Sequence, residues 1–156
     1  MNRKIWLGLL MGLMIFLFGA IKFSKTENSD FKAENNNYQW VELAKVVDGD
    51  TIQVKINDET ESVRLIGIDA PEIEGKTKEK GIESKKYLEK LLENKKIRLE
   101  PDETQDDRDV YNRLLRYVFL NDGTLVNEKM IEGKMAKEYT FKTKYKYQEE
   151  FRKVGK

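Results

Sequence analysis

The chain has 156 residues, a length that suits one domain and an additional N-terminal segment. It contains no Cys and no His, which excludes disulfides, zinc–thiolate sites, thiol nucleophiles and a histidine general base. Residues 26–156 carry 25 basic and 28 acidic groups, so any contact with phosphates would need a local patch or a metal ion. One candidate patch is the segment 137–156, with seven basic and three acidic residues.

A hydrophobic helix is the first predicted element. Arg3 and Lys4 precede an uncharged run over residues 5–21, which as a helix would span about 26 Å. This length favours an uncleaved membrane anchor over a cleaved signal peptide for residues 1–25, and either one predicts export. We therefore expect an extracellular protein, or one anchored to a bacterial cell membrane and facing outward. Residues 26–39 are polar and predict a flexible linker.

Five segments with alternating or β-branched residues predict strands separated by turns. The first three are expected to form a meander, with a turn at Asp48-Gly49-Asp50 and another at residues 57–60. The predicted strands cover residues 41–47, 51–56, 62–68, 96–100 and 114–120.

Three segments with helical spacing or capping residues predict helices, over residues 79–93, 124–132 and 144–153. Thr124 is the expected N-cap of the second. Five short strands with a helix after the third indicate an α+β domain over residues 40–156, built on a five-stranded OB-fold Greek-key barrel with about three helices. The domain is expected to be a monomer.

Chemically informative residues are concentrated in three clusters. The first is Val47-Asp48-Gly49-Asp50-Thr51, the second runs from Arg64 to Glu72 with the sequence RLIGIDAPE, and the third is Asp109-Val110-Tyr111-Asn112-Arg113. Each cluster alone has an ordinary reading, as a turn, a loop start or a solvated basic face. Their presence together and in this order is much more specific.

From about Val41 to Arg152 the sequence resembles the staphylococcal nuclease (thermonuclease) family, on the DGDT turn, the RLIGIDAPE segment and the D-x-Y-x-R segment. The resemblance implies a calcium ion, bound by two carboxylates and one backbone carbonyl, and a phosphate clamped by two arginines beside a general base. The residues implied are Asp50, Asp69 and the carbonyl of Ala70 for calcium, Arg64 and Arg113 for the clamp, Glu72 for the base, and Tyr111 beside the terminal phosphate of the nucleotide.

Elementary chemistry is consistent with these roles. Calcium prefers oxygen ligands, and arginine offers forked donors to the oxygens of a phosphate. In a chain without His, Glu72 is a sensible base because it shares a loop with Asp69. Asp48 is expected to support the turn or the ligands of the metal.

The chain also departs from the family pattern. Asn112 stands where the family often has Gly, and Val110 where it often has a basic residue that contacts a phosphate. Tyr139 and Phe141 fall near an aromatic pair that stacks bases in the family. The resemblance implies a longer last helix than residues 144–156 provide, which predicts reduced thermal stability.

The function predicted from the resemblance is calcium-dependent hydrolysis of DNA and RNA, with low sequence specificity, a preference for single strands and 3′-phosphate products. One alternative is a non-catalytic OB-fold module that binds nucleic acid while tethered to the membrane. A second is a membrane-anchored interaction domain of purely structural role. Neither alternative explains why Asp50, Asp69, Glu72 and both arginines occur together.

Overall fold

The computed structural model describes residues 39–156. The predicted hydrophobic helix, with its anchor or signal role, and the predicted linker up to residue 38 lie outside the described residues. Within residues 39–156, no helix is long and apolar enough to cross a membrane. The first strand begins at Gln39, one residue before the predicted start of the domain.

Five strands close into a barrel, as predicted from the sequence, and two short strands that were not predicted form a separate ribbon. The barrel order is β1-β2-β3-β6-β5, and the ribbon is β4-β7. The strands are β1 (Gln39–Val46), β2 (Thr51–Ile56), β3 (Glu59–Leu65), β4 (Ile68–Asp69), β5 (Ile97–Glu100), β6 (Leu114–Leu120) and β7 (Lys137–Glu138).

The barrel closes through one parallel pair among otherwise antiparallel neighbours. Strands β3 and β6 run parallel, with Arg64 opposite Leu115, whereas β2 and β3 are antiparallel, with Thr51 opposite Arg64. The start of β6 therefore lies beside the end of β3 and the start of β2. This closure brings together the regions that contain the three sequence clusters.

Within residues 39–156 three α-helices pack around the barrel, which confirms the number predicted for this domain. They are α1 (Lys78–Leu92), α2 (Val126–Glu132) and α3 (Gln148–Val154). The predicted cap of α2 is wrong, because the structure gives Thr124 no cap bond and its N–H donates to Asp122 Oδ1 at 2.9 Å. The last helix begins four residues later than predicted, and Asp102 holds Lys146 by its backbone N–H at 2.8 Å before that helix starts.

The predicted third strand breaks at Gly67, so its continuation to Ile68 is wrong. Gly67 has a φ of +79°, in the left-handed region that favours glycine. A Cβ there would overlap the ring of Tyr145, and the Gly67 carbonyl accepts a bond from the Tyr139 N–H at 3.0 Å. The chain turns at this point and pairs as β4 with β7.

The core fills the barrel and the space beneath the helices. Fully buried side chains include Val54, Val63, Leu99 and Tyr117 from the strands and Phe151 from α3. Burial of side chains of this size stabilises a fold by roughly 1.5–3 kcal/mol each.

A single buried amide links α2 to the barrel. Asn127 Oδ1 accepts the Val118 N–H, and its Nδ2 donates to the carbonyl of Ile66, both at 2.9 Å. Both backbone groups are thus satisfied, which ties the Gly67 turn to β6 through one side chain.

Candidate active site

The Asp48-Gly49-Asp50 turn is built to place Asp50 beneath the surface. Asp48 Oδ1 accepts the N–H of Asp50 at 3.0 Å, an Asx-type bond that supports the turn, as expected for Asp48. Any Cβ at Gly49 would overlap Ser84 Oγ and crowd the Cβ of Ala70. Glycine therefore allows the turn to pack directly against α1 and the β4 loop.

Asp50 is a buried carboxylate, with 7% of its surface exposed. Its Oδ2 accepts the Ala70 N–H at 2.7 Å, and its Oδ1 accepts the Thr51 hydroxyl at 3.1 Å. Burial raises the pKa of Asp50 from 3.8 to about 6, although the Arg64 guanidinium and the Ala70 N–H oppose this rise. The positive charge at hand is thus insufficient to offset the loss of hydration.

Arg64 joins the two predicted metal-binding carboxylates. Its Nη2 lies 3.2 Å from Asp50 Oδ2 and 3.4 Å from Asp69 Oδ1. Its Nη1 donates to the carbonyl of Ile68 at 2.9 Å, which fixes the guanidinium in the loop between β3 and β4. The side chains of Asp50, Arg64 and Asp69 therefore form one cluster.

Arg113 reaches the same cluster from the loop before β6. Its Nη1 donates to Thr51 Oγ1 at 3.3 Å, and Thr51 in turn donates to Asp50. The loop turns at Asn112, whose φ of +63° agrees with the tolerance of Asn for this region. Arg64 and Arg113, 49 positions apart in sequence, thus flank one carboxylate.

Asp109 holds Arg113 in place. Its Oδ2 accepts the Arg113 Nε–H at 2.6 Å, and its Oδ1 accepts the N–H groups of Tyr111 and Arg113, each at 2.9 Å. Burial alone would raise the pKa of Asp109, but these bonds outweigh it and lower that pKa. The carboxylate is thus charged at neutral pH and keeps the guanidinium aimed at Thr51.

A cleft of about 680 Å³ opens over this cluster. The residues that line it include Arg64, Asp69 and Arg113, together with the aromatic residues Tyr111, Tyr139 and Phe141. Tyr111 is largely exposed and lies 5.4 Å from the Arg113 guanidinium, whereas the rings of Tyr139 and Phe141 are 6.5 Å apart. Guanidinium donors beside exposed aromatic side chains suit a nucleotide.

The structure does not bring Glu72 into this network. Its side chain is exposed and, within residues 39–156, makes no hydrogen bond or ion pair. Its backbone is held instead, because its carbonyl accepts the Thr77 hydroxyl at 3.2 Å and a Cβ at Gly81 would overlap that carbonyl. Glu72 is thus fixed by its main chain, with its carboxylate free for solvent or substrate.

The oxygen donors of the cluster fit a hard cation such as calcium. Asp50 and Asp69 offer carboxylates that converge on one guanidinium atom, and the high pKa of Asp50 indicates a site that favours additional positive charge. No group of three or more acidic side chains within the described part of the chain could hold a metal. Further ligands would therefore be a carbonyl, as predicted for Ala70, and water.

Sequence reasoning assigned no role to Thr51 or Asp109, although both connect the predicted residues. Each lies inside a recognised cluster, and an Asp four residues before an Arg is a usable signal for an ion pair. Sequence patterns offered no comparable signal for Thr51, since its bridging role depends on the pairing of β2 with β3.

A family model described as "Staphylococcal nuclease homologue" matches residues 62–156. The chain belongs to this family. Membership accounts for the barrel and for the order of the three clusters, and it confirms the resemblance inferred from the sequence.

Named relatives are consistent with this family. A thermonuclease of Staphylococcus hyicus is 34% identical, with 99% of this chain and 92% of the relative aligned. The endonuclease YncB of Bacillus subtilis is 34% identical over 72% of this chain and 54% of its own length. A thermonuclease of Staphylococcus intermedius is 36% identical over 66% of this chain and 58% of its own length.

Proposed function

We propose that this nuclease is a calcium-dependent phosphodiesterase that hydrolyses DNA and RNA with low sequence specificity and leaves 3′-phosphate ends. The observation that carries the proposal is the convergence of Asp50 and Asp69 on Arg64, with Arg113 joined to Asp50 through Thr51. Arg64, Asp69 and Arg113 line one cleft. The names of the nuclease relatives support the same reaction.

The two arginines would bind the scissile phosphate from opposite sides of Asp50. Arg64 approaches from β3 and Arg113 from the loop before β6, and each can turn forked N–H donors toward phosphate oxygens. Both are already held by carboxylates and carbonyls, so little reorganisation is needed when negative charge builds on the phosphate. Removal of one such donor typically costs about 3–4 kcal/mol of transition-state stabilisation.

Glu72 would accept a proton from the attacking water, and its exposed carboxylate leaves room for that water. The water oxygen forms a bond to phosphorus, the bond from phosphorus to the 5′ oxygen breaks, and the departing oxygen takes up a proton from solvent. A calcium ion bound by Asp50, Asp69 and the Ala70 carbonyl would act as a Lewis acid on a phosphate oxygen.

The cleft walls favour flexible, single-stranded nucleic acid. Tyr111, Tyr139 and Phe141 are exposed aromatic side chains, and stacking on them tolerates any base. Bases in a single strand can turn toward such walls at low cost. We therefore propose action on both DNA and RNA, with single-stranded regions cleaved fastest.

We further propose that the enzyme is monomeric and acts outside a bacterial cell, either released or tethered to the membrane through residues 1–25. The uncharged run over residues 5–21 supports this localisation.

The test uses the full chain, purified in mild detergent, with single-stranded DNA and RNA in calcium and then in a chelator. We expect cleavage that stops with the chelator, and turnover that falls at least 100-fold in Glu72→Gln, Arg64→Ala and Arg113→Ala. The matched control Arg116→Ala removes an arginine paired with Asp107 outside the cleft and should leave turnover within about twofold.

Full activity in any of the three variants would remove that residue from the mechanism. Cleavage that persists in the chelator would refute calcium dependence. Binding without cleavage would favour the non-catalytic module, and neither binding nor cleavage would favour a structural domain.

A further inference from the structure

A second cleft, of about 510 Å³, lies between α2, β7 and α3. Its charged side chains are Lys134, Lys137, Glu138, Arg152 and Lys156. The cleft belongs to the basic segment that the sequence singles out at residues 137–156, and none of the site residues described above lines it.

The cleft has a surplus of positive charge. Lys134 and Lys137 are exposed, and neither forms an ion pair within residues 39–156. The carboxylate of Glu138 is already engaged, because it accepts the Tyr145 hydroxyl at 3.0 Å and lies 3.5 Å from Arg152 Nε. An anion entering the cleft would therefore meet two exposed lysines that form no ion pair within residues 39–156.

The ribbon of β4 and β7 contributes residues to both clefts. Lys137 in β7 lies directly opposite Asp69 in β4, so their Cβ atoms are roughly 5 Å apart on the same face of the ribbon. Asp69 lines the first cleft and Lys137 lines the second. A polymer that leaves the catalytic cleft across this pair would therefore reach residues of the second cleft.

Lys134, which lines the second cleft, has a backbone conformation that is unfavourable for lysine. It follows the end of α2 with a φ of +59°, in the region where glycine or asparagine is usual. A Cβ at the preceding Gly133 would overlap the ring of Tyr87. The glycine therefore cannot be moved to position 134 in exchange for a lysine at position 133. Lys134 lines the cleft in spite of this unfavourable backbone conformation. The strain is consistent with a role for the positive charge of its side chain.

We propose that this cleft binds the phosphodiester backbone of the nucleic-acid substrate beyond the cleaved bond, as a second strand-binding site. The proposal rests on the proposed nuclease function. The described residues that line the cleft include no aromatic side chain, so it would bind phosphates without reading or stacking bases. Its occupant is therefore the same strand whose scissile phosphate lies over Asp50 and Asp69.

The test compares the full chain with the double variant Lys134→Gln/Lys137→Gln on two substrates, a dinucleotide and single-stranded DNA of about 16 nucleotides. For the long substrate we expect kcat/KM to fall about 10-fold, mainly through KM, and for the dinucleotide to fall no more than about twofold. The dependence of long-strand binding on salt should weaken, its logarithmic slope falling by about 1.4 for two lost phosphate contacts.

Two further variants test whether a general loss of positive charge, or a loss of stability, could account for the result. Lys86→Gln/Lys90→Gln removes two exposed lysines of α1 that line neither cleft, and should change neither substrate's kinetics. Lys134→Gly should raise the melting temperature by relieving the positive φ, yet weaken long-strand binding. Equal losses in both double variants, or losses independent of substrate length, would overturn the proposal.

The measurements also distinguish failure of the second strand-binding site from failure of the proposed nuclease function. If the unmodified chain cleaves neither substrate, anisotropy of a labelled oligonucleotide still reports the cleft, and binding weakened by Lys134→Gln/Lys137→Gln supports it. Absence of oligonucleotide binding would refute the cleft as a strand site. Loss of binding to phosphatidylglycerol vesicles, with oligonucleotide binding intact, would reassign the cleft to lipid and also refute it.

Discussion

The burial of Asp50 makes its ionised carboxylate destabilising for the folded chain. The fold buries its carboxylate, and the neighbouring guanidinium of Arg64 does not compensate, so the pKa of Asp50 rises to about 6. A group with a raised pKa keeps its proton in the folded state to a higher pH than in the unfolded state. Without a bound cation, ionisation of Asp50 therefore lowers the free energy of unfolding as pH rises from about 4 to about 6.

The variant Asp50→Asn mimics the protonated form at every pH. In calcium-free buffer with a chelator, we expect it to be more stable than the parent chain by about 2 kcal/mol at pH 7. The difference should shrink toward pH 4, where the parent carboxyl is also protonated. Unfolding in guanidinium chloride, followed by fluorescence at both pH values, measures it.

Asp106→Asn serves as the control, since it removes an exposed carboxylate from the rim of the catalytic cleft. Its stability should match that of the parent within about 0.5 kcal/mol. An Asp50→Asn variant that is less stable than the parent at pH 7 would contradict the account of Asp50.

Helix α1 supports the loop that contains Glu72. Gly81 lies in the first half of this helix, where the carbonyl of Glu72 approaches too closely to admit a Cβ. The short 3-10 turn at Gly75–Thr77 adds a bond from the Thr77 hydroxyl to the same carbonyl. The position of Glu72 thus depends on its main chain and on a helix that contributes no side chain to the chemistry.

Gly81→Ala separates helix stability from loop position. Alanine alone would favour the helix by up to about 1 kcal/mol, but here it must displace the Glu72 carbonyl. We expect turnover on single-stranded DNA to fall about 10-fold while the chain remains folded by circular dichroism. Glu83→Ala, at an exposed position of the same helix, is the matched control, and equal turnover in the two variants would argue against the support role.

Strand β6, the break at Gly67 and the start of α3 differ in how far local sequence patterns determine them. Strand β6 was predicted residue for residue, because Tyr117, Val118 and Phe119 favour a strand and the turn at residues 121–123 ends it. The break at Gly67 was missed because it depends on Tyr145, which is 78 positions away. The start of α3 was misplaced for a similar reason, since Asp102 competes for the N–H of Lys146.

Across the whole molecule, Asp102 connects the barrel to the C-terminal segment. Its Oδ2 accepts the buried Tyr117 hydroxyl at 2.5 Å and the Lys146 N–H at 2.8 Å, and its Oδ1 accepts Thr104 Oγ1 at 2.8 Å. Burial alone would raise the pKa of Asp102, yet these donors outweigh it and lower the pKa. Its charge therefore stabilises the folded state at neutral pH.

Asp102→Asn should lower the free energy of unfolding by about 3 kcal/mol at pH 7, because the amide leaves at least one buried donor without an acceptor. For a lowered pKa, the stabilisation is fully present above the ordinary Asp value near 4 and is lost as pH falls through the lower, folded value. The gap between variant and parent should therefore close in strong acid, as measured by thermal melts across pH. A gap independent of pH would contradict this origin.

Sequence predicted the four charged residues of the site cluster because their motifs lie in a recognisable order. It did not predict how they meet. Thr51 opposes Arg64 only after β2 pairs with β3, and Arg113 reaches Thr51 only after β6 lies beside β3. Local patterns carry no information on such pairings. For the second cleft, composition indicated the basic segment 137–156 but not that Lys134 and Lys156 line one cleft with Lys137.

The parallel pairing of β3 with β6 makes the proposed phosphate clamp depend on a contact between distant parts of the chain. This seam joins stretches roughly 50 positions apart, and non-local contacts of that kind slow folding because the intervening chain must be brought together first. Until it closes, the two guanidinium groups cannot grip a common phosphate. A chain in which this seam has not yet formed would therefore lack the proposed phosphate clamp, even if its helices and hairpins were already in place.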